Sequence, residues 1–293
     1  MLRTKKTDMA SIVNATASNE NDAATNAIAT TTEGEEEGGG GETTTTTTTT
    51  LYVPSTECET VDELFQLLMN LGGLTWSKTN YTEVIISAGI HEINNLAEDA
   101  DGATFTGVYL KGPHYKGLTI KGESGIEGKT ILTGGLILCT GVDISNITFE
   151  DLFICNGDQA GWRSWMGNGL YVDDGAHQII CKRCTFYDCE KLGIFVGDVQ
   201  SHVRLHNCTV YGNKRGGIMA SEGGTIDVMG DYTQVYENGK YGLFSYMAPS
   251  VVRVSFDLEE ETRPSTIRLD NNKKGEYNAS GGGKIERINN LLE

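Results

Sequence analysis

The chain has 293 residues, with 37 glycines, only 4 prolines and a formal net charge of −17. That length admits one core or two small ones. The charge, −5 of it in residues 1–50 and −12 in the rest, repels nucleic acids and anionic membranes, whose binding rests on cations that neutralise phosphate. It also disfavours acidic polysaccharides unless a metal ion bridges them, and leaves glycans, small neutral ligands and proteins as partners.

The first twenty residues, "MLRTKKTDMASIVNATASNE", carry basic groups and a faint likeness to a transit peptide. They hold no run of about 7–15 apolar residues, so they do not read as a secretory signal. No stretch approaches the ~20 apolar residues of a membrane span. Seven cysteines, an odd number without a secretory signal, read as reduced thiols of a cytoplasmic protein. On that reading the sequons at Asn14, Asn80, Asn146, Asn207 and Asn278 carry no meaning. The segment "EGEEEGGGGETTTTTTTT" (33–50) has no apolar area to bury, so residues 1–50 are expected to be a disordered low-complexity tail. Its threonines lack the coil-spaced array of ice-binding solenoids.

Folding is expected from about residue 51. "TVDELFQLLMNL" (60–71) predicts a helix: Thr60 and Glu63 fit a capping box, and Val61, Leu64, Phe65, Leu68 and Leu71 form one apolar stripe. "TEVIISAGIHEI" (82–93) and "GLTIKGESGIEGKTIL" (117–132) predict short strands with glycine turns. A repeat then takes over. Gly169, Gly193, Gly217 and Gly242 are 24, 24 and 25 residues apart, and each opens a similar tetrapeptide: "GLYV", "GIFV", "GIMA", "GLFS". A second strand follows at Ile179/Cys181, Val203/Leu205, Ile226/Val228 and Val252/Val254. A third follows at Cys184/Phe186, Cys208/Val210 and Thr233/Val235. Three period-two strands in 24 residues leave no room for helical crossovers, and predict a solenoid whose coils stack about 4.8 Å apart.

This pattern resembles the right-handed parallel β-helix of the pectin-lyase-like superfamily over roughly residues 53–290, most clearly over 134–256. The Asn-rich turn and "GGGKI" strand near the end are similar to those of algal members of unknown function. The expected fold is all-β: a right-handed parallel β-helix over 51–293, capped by an N-terminal α-helix.

Stacking turns each repeat position into a ladder. Alternation points Tyr171, Phe195, Met219 and Phe244 outward, as an apolar stripe. Lys191, Arg215 and Lys240, two residues before each glycine, form a basic ladder; Asp174, Asp198 and Glu222, five after, form an acidic one. The stripe reads either as an open binding face for a glycan or protein, or as covered by the inserted loop 156–168 with Trp162 and Trp165. The expected function is non-catalytic binding through this face, with Tyr171, Phe195, Met219, Phe244, Trp162, Trp165, Lys191 and Arg215 as contacts and no cofactor. The resemblance supplies the alternative, a lyase or glycosidase. Asp173, Asp174, Asp198 and Glu222 are then the catalytic candidates, and Asp174, Asp198 and Glu222 the Ca²⁺ ligands of a lyase. "VDDGAH" brings in His177 superficially, but the Arg/Lys signature and second aspartate pair of related hydrolases are absent. Aspartate also suits turns for local reasons. "CKRCTFYDC" contains the C-x₂-C spacing of zinc sites, but Cys181 and Cys184 fall in inward ladder slots and read as small core residues. Cys189 shares a slot with Asn213 and Asn238, an expected asparagine ladder, and Tyr187, Tyr211 and Tyr236 an expected surface stack.

Overall fold

The computed structural model describes residues 49–54, 58–93, 96–98, 104–110, 114–123, 128–138, 144–155, 167–256 and 267–289. Among these, three sheets of eight, nine and seven strands wrap one core, and successive coils supply the neighbours in each. We call them sheets I, II and III, in the order the chain visits them within a turn of the right-handed β-helix. Leu170–Val172, Leu192–Val196, Gly216–Ser221 and Tyr241–Tyr246 lie in sheet I. Ile179–Lys182, His202–His206, Thr225–Met229 and Val251–Phe256 lie in sheet II. Thr185–Tyr187, Thr209–Tyr211 and Gln234–Tyr236 lie in sheet III. Pairing is parallel, apart from Leu96–Glu98 against Thr104–Tyr109 at one end of sheet I.

The register lays like on like. Leu170, Ile194, Ile218 and Leu243 are partners in sheet I. Ile179, Val203, Ile226 and Val252 are partners in sheet II, as are Phe186, Val210 and Val235 in sheet III. All of them are buried, so the period-two alternation read from the sequence is the core.

The repeating glycine has a steric cause. A Cβ on Gly193 would lie 2.5 Å from Val210 Cγ1 and 2.9 Å from Asn213 Nδ2. One on Gly217 would lie 2.6 Å from the carbonyl oxygen of Gly242 and 3.0 Å from Asn238 Nδ2. The missing side chain makes room for the asparagine ladder in the turn from sheet III to sheet I. Asn213 Nδ2 donates to Asn238 Oδ1, and Asn238 Nδ2 to Asn272 Oδ1, each at 2.9 Å. Asn213 Oδ1 accepts from the backbone N–H of Cys189 at 3.0 Å. The ladder thus extends one coil beyond the expected Cys189, Asn213 and Asn238, to Asn272.

The helix spans Val61–Trp76, five residues past its expected end, with a break at Gly72 (φ 70°). Its capping box forms: the N–H of Glu63 donates to Thr60 Oγ1 at 3.1 Å, and the Glu63 carboxylate accepts from the N–H of Glu59 at 2.8 Å. Val61, Leu64, Phe65 and Leu68 are buried against the solenoid. The strand Thr49–Val53 begins inside the threonine run: Thr49 and Thr50, expected in the tail, pair with Tyr81 and Glu83, as suits β-branched residues at a sheet edge. The expected disordered tail otherwise lies outside the described residues. Deleting residues 1–48 is expected to leave the thermal midpoint unchanged, because that sequence offers no apolar pattern to dock. A fall above about 3 °C, roughly 1 kcal/mol for a chain of this size, would show instead that the segment stabilises the solenoid.

Candidate functional site

The outward row of sheet I runs Ile137, Tyr171, Phe195, Met219, Phe244, Asn278 in register. Exposure changes along it. Ile137 and Tyr171 are only 3 % and 5 % exposed, while Phe195, Met219 and Phe244 are half-buried. Tyr171 lies flat on Phe195, with ring centroids 4.8 Å apart and planes 7° apart, and its hydroxyl donates to Asp173 Oδ2 at 2.8 Å. The expectation that Tyr171 is an exposed contact is therefore corrected: alternation sets which face a side chain leaves by, not whether that face meets solvent. Trp162 and Trp165 lie outside the described residues.

Beyond Tyr171 the row opens into a groove of about 480 Å³. Phe195, Met219 and Phe244 form its floor, with Tyr241 beside them. Lys191, Arg215, Lys240 and Lys274 line its wall. These four are one backbone ladder: the N–H of Arg215 donates to the carbonyl of Lys191 at 2.8 Å, and that of Lys274 to Lys240 at 3.0 Å. Lys274 went unseen in the sequence because it follows Lys240 by 34 residues rather than 24. Every ionisable side chain lining the groove is cationic. Among the described residues, Arg215, Lys240 and Lys274 form no ion pair. Burial, and then the neighbouring Arg215 charge, lower the pKa of Lys191.

The acids stand at the far end of the same strands. Asp174, Asp198 and Glu222 occupy one left-handed turn position per coil, at φ 52°, 62° and 52°, and the next coil puts Met247 there at φ 64°. Asp198 Oδ1 accepts from the N–H of Val199 at 2.6 Å. Asp173 accepts from the Tyr171 hydroxyl and from the N–H of Asp174 at 3.0 Å. Burial raises the pKa of Asp173 despite those bonds, with a further push from Asp174 and Asp198. His177 donates from Nδ1 to the carbonyl of Gly175 at 2.9 Å. Among the described residues, no three or more His, Cys, Asp or Glu side chains gather closely enough to hold a metal ion. The acidic ladder is thus a column of turn residues, and two of its neighbouring carboxylates serve local N–H groups.

Sheet II carries a second polar feature that the sequence reading passed over. Asp227, fully buried on an outward slot, accepts from Arg253 through Nε at 2.6 Å and Nη2 at 3.1 Å. It also meets His202 Nε2 at 2.8 Å, with Arg204 Nε 3.8 Å away. A hollow of about 380 Å³ beside it is lined by Asn146, Gln178, His202 and Arg204. The signal was an Arg–Asp–Arg run at one ladder position, 204, 227 and 253.

The thiols of Cys181, Cys184 and Cys208 are buried in the core, and burial pushes their pKa values up. Cys208 Sγ donates to the carbonyl of Cys181 at 3.2 Å and Cys184 Sγ to that of Phe149 at 3.3 Å. Tyr187, Tyr211 and Tyr236 stack at 5.6 and 5.2 Å on sheet III.

A family model described as "Right handed beta helix region" matches residues 89–257. No curated protein matches the chain. A similar solved structure is the crystal structure of pectate lyase Pel9A: 10 % identity, TM-score 0.43, covering 71 % of this chain and 56 % of that one. The chain therefore spans little more than half the length of that relative.

Proposed function

We propose a function from one premise: the chain belongs to the right-handed β-helix family. It is a non-catalytic binding domain, and its partner, a glycan or a protein, lies in the groove of sheet I. The observation that carries this reading is the groove itself, an apolar floor of Phe195, Met219 and Phe244 beside a wall of cations. An exposed apolar surface rimmed by polar groups is the ordinary form of an interaction site. The engagement of the Asp173 and Asp198 carboxylates in their own turns favours binding over a lyase or glycosidase built on the acidic ladder. A fold of this kind hosts both binding and catalysis, so the site must decide.

The test is calorimetric titration with neutral oligosaccharides, oligouronates with and without Ca²⁺, and acidic peptides, with product release followed in parallel. Binding without turnover is expected. Met219→Ala is expected to weaken it by about 1–2 kcal/mol, as truncation of a central interface contact does. Sugar cleavage that disappears in Asp174→Asn or Asp198→Asn would replace this reading with the enzymatic one.

A further inference from the structure

We infer that the partner of this groove is an acidic peptide segment, its apolar side chains on Phe195, Met219 and Phe244 and its carboxylates against Arg215, Lys240 and Lys274. The inference rests on the reading of the groove as a binding site. Charge is the first argument. The protein has a net charge of −17, yet the groove lining holds four cations and no carboxylate. Like charges stacked one coil apart, about 4.8 Å, repel each other, and an anion laid along them relieves that repulsion. Arg215, Lys240 and Lys274 have no carboxylate partner among the described residues to do so. The acidic turn column at the other end of the strands repels carboxylates from that side, so an anionic ligand is oriented with its charge on the cation wall.

The floor is the second argument. A sugar ring stacks on an open aromatic face, but Tyr171 and Phe195 spend facing sides of their rings on each other. Phe244 is tilted against Tyr241 at 5.6 Å and against Tyr246 at 5.9 Å. Between these rings lies Met219, a flexible thioether. Ring edges and a thioether adapt to aliphatic and aromatic side chains, and a peptide supplies those next to its acids.

The test is fluorescence anisotropy with a short labelled peptide alternating glutamate with leucine. A lysine–leucine peptide and an oligouronate of equal charge number are the comparisons. The glutamate–leucine peptide is expected to bind, to weaken as salt rises from roughly 50 to 200 mM, and to lose about tenfold or more in affinity against the double variant Arg215→Glu/Lys240→Glu. The lysine–leucine peptide is expected not to bind the wild type. Thermal melts check that the double variant folds; if it does not, Lys240→Glu alone, at an exposed side chain, carries the comparison. No binding of the glutamate–leucine peptide, indifference to charge reversal, or equal or tighter binding of the oligouronate overturns the inference. If the oligouronate binds and Met219→Ala weakens it, the groove reading survives and only the peptide falls. If Met219→Ala changes the binding of no probe, both fall.

Discussion

Replacing Asn238 by alanine is expected to lower the unfolding free energy by about 3–5 kcal/mol, since each buried donor or acceptor left without a partner costs about 1–3 kcal/mol. Asn238 is the middle rung of a fully buried column. Its Nδ2 donates to the carbonyls of Val210 and Tyr236 and to Asn272 Oδ1. Its Oδ1 accepts from both the backbone N–H and the side-chain amide of Asn213. Alanine removes all of these at once, and leaves the amides of Asn213 and the oxygen of Asn272 short of partners. Gly217 would then face an empty slot in place of Asn238 Nδ2. Urea unfolding of the variant and wild type reads the difference. A loss below about 1 kcal/mol would mean that water replaces the amide, since a bridging water is nearly as good as a direct bond, and the ladder would then matter for register more than for stability.

The second large effect is expected at Arg253, replaced by methionine to keep the stem and drop the charge. Removing one partner of a fully buried ion pair costs about 3–5 kcal/mol. Here about 2–4 kcal/mol is expected at pH 7, because the Arg253 side chain is 32 % exposed and His202 and Arg204 remain beside Asp227. Burial pushes the Asp227 carboxyl up, but the hydrogen bonds and charges of His202 and Arg253 outweigh it and hold the pKa below its ordinary value. A depressed carboxyl contributes stability above the unfolded value of about 3.9, and that contribution is lost as pH falls through the folded value. In Arg253→Met the push from burial is less opposed and the pKa rises. That share of the pH profile then reverses, and stability is lost as pH rises from the unfolded value to the folded one. Urea melts between about pH 3 and 7 separate the two profiles. Wild-type stability and an unchanged profile in the variant would mean that His202 and Arg204 alone satisfy Asp227.

The two sheets thus use one device for opposite ends. On sheet II a carboxylate stands between two arginines of the same ladder and closes the charge on itself. On sheet I no carboxylate enters the ladder of Lys191, Arg215, Lys240 and Lys274, and the charge is left for something else. Each coil places its residue directly against the next, so a single substitution such as Asp227 decides whether a ladder is self-satisfied or open.

Much of this was written in the sequence, for a local reason. A stacked coil repeats its contacts every 24 or so residues, so Leu170, Ile194, Ile218 and Leu243 announce the same inward slot, and Asn213 and Asn238 the same turn. Glycine at 193 and 217 is part of that signal, because the asparagine one strand back needs its space. The capping box at Thr60 and Glu63 is equally local. What only the tertiary structure decided depends on neighbours that period and alternation do not encode. Tyr171 and Phe195 share one outward slot and read alike, yet the first is buried and the second borders a groove. Lys274 joined the basic ladder from beyond an irregular stretch that broke the repeat. The acidic column proved to be a series of left-handed turns whose oxygens partly serve their own backbone, a use that side-chain spacing cannot tell from catalysis. The cluster at Asp227 appeared only when three strands, 23 and 26 residues apart, lay side by side. Alternation fixes direction, and stacking fixes company; solvent access and charge balance are sums over everything packed nearby, which a single line of residues does not contain.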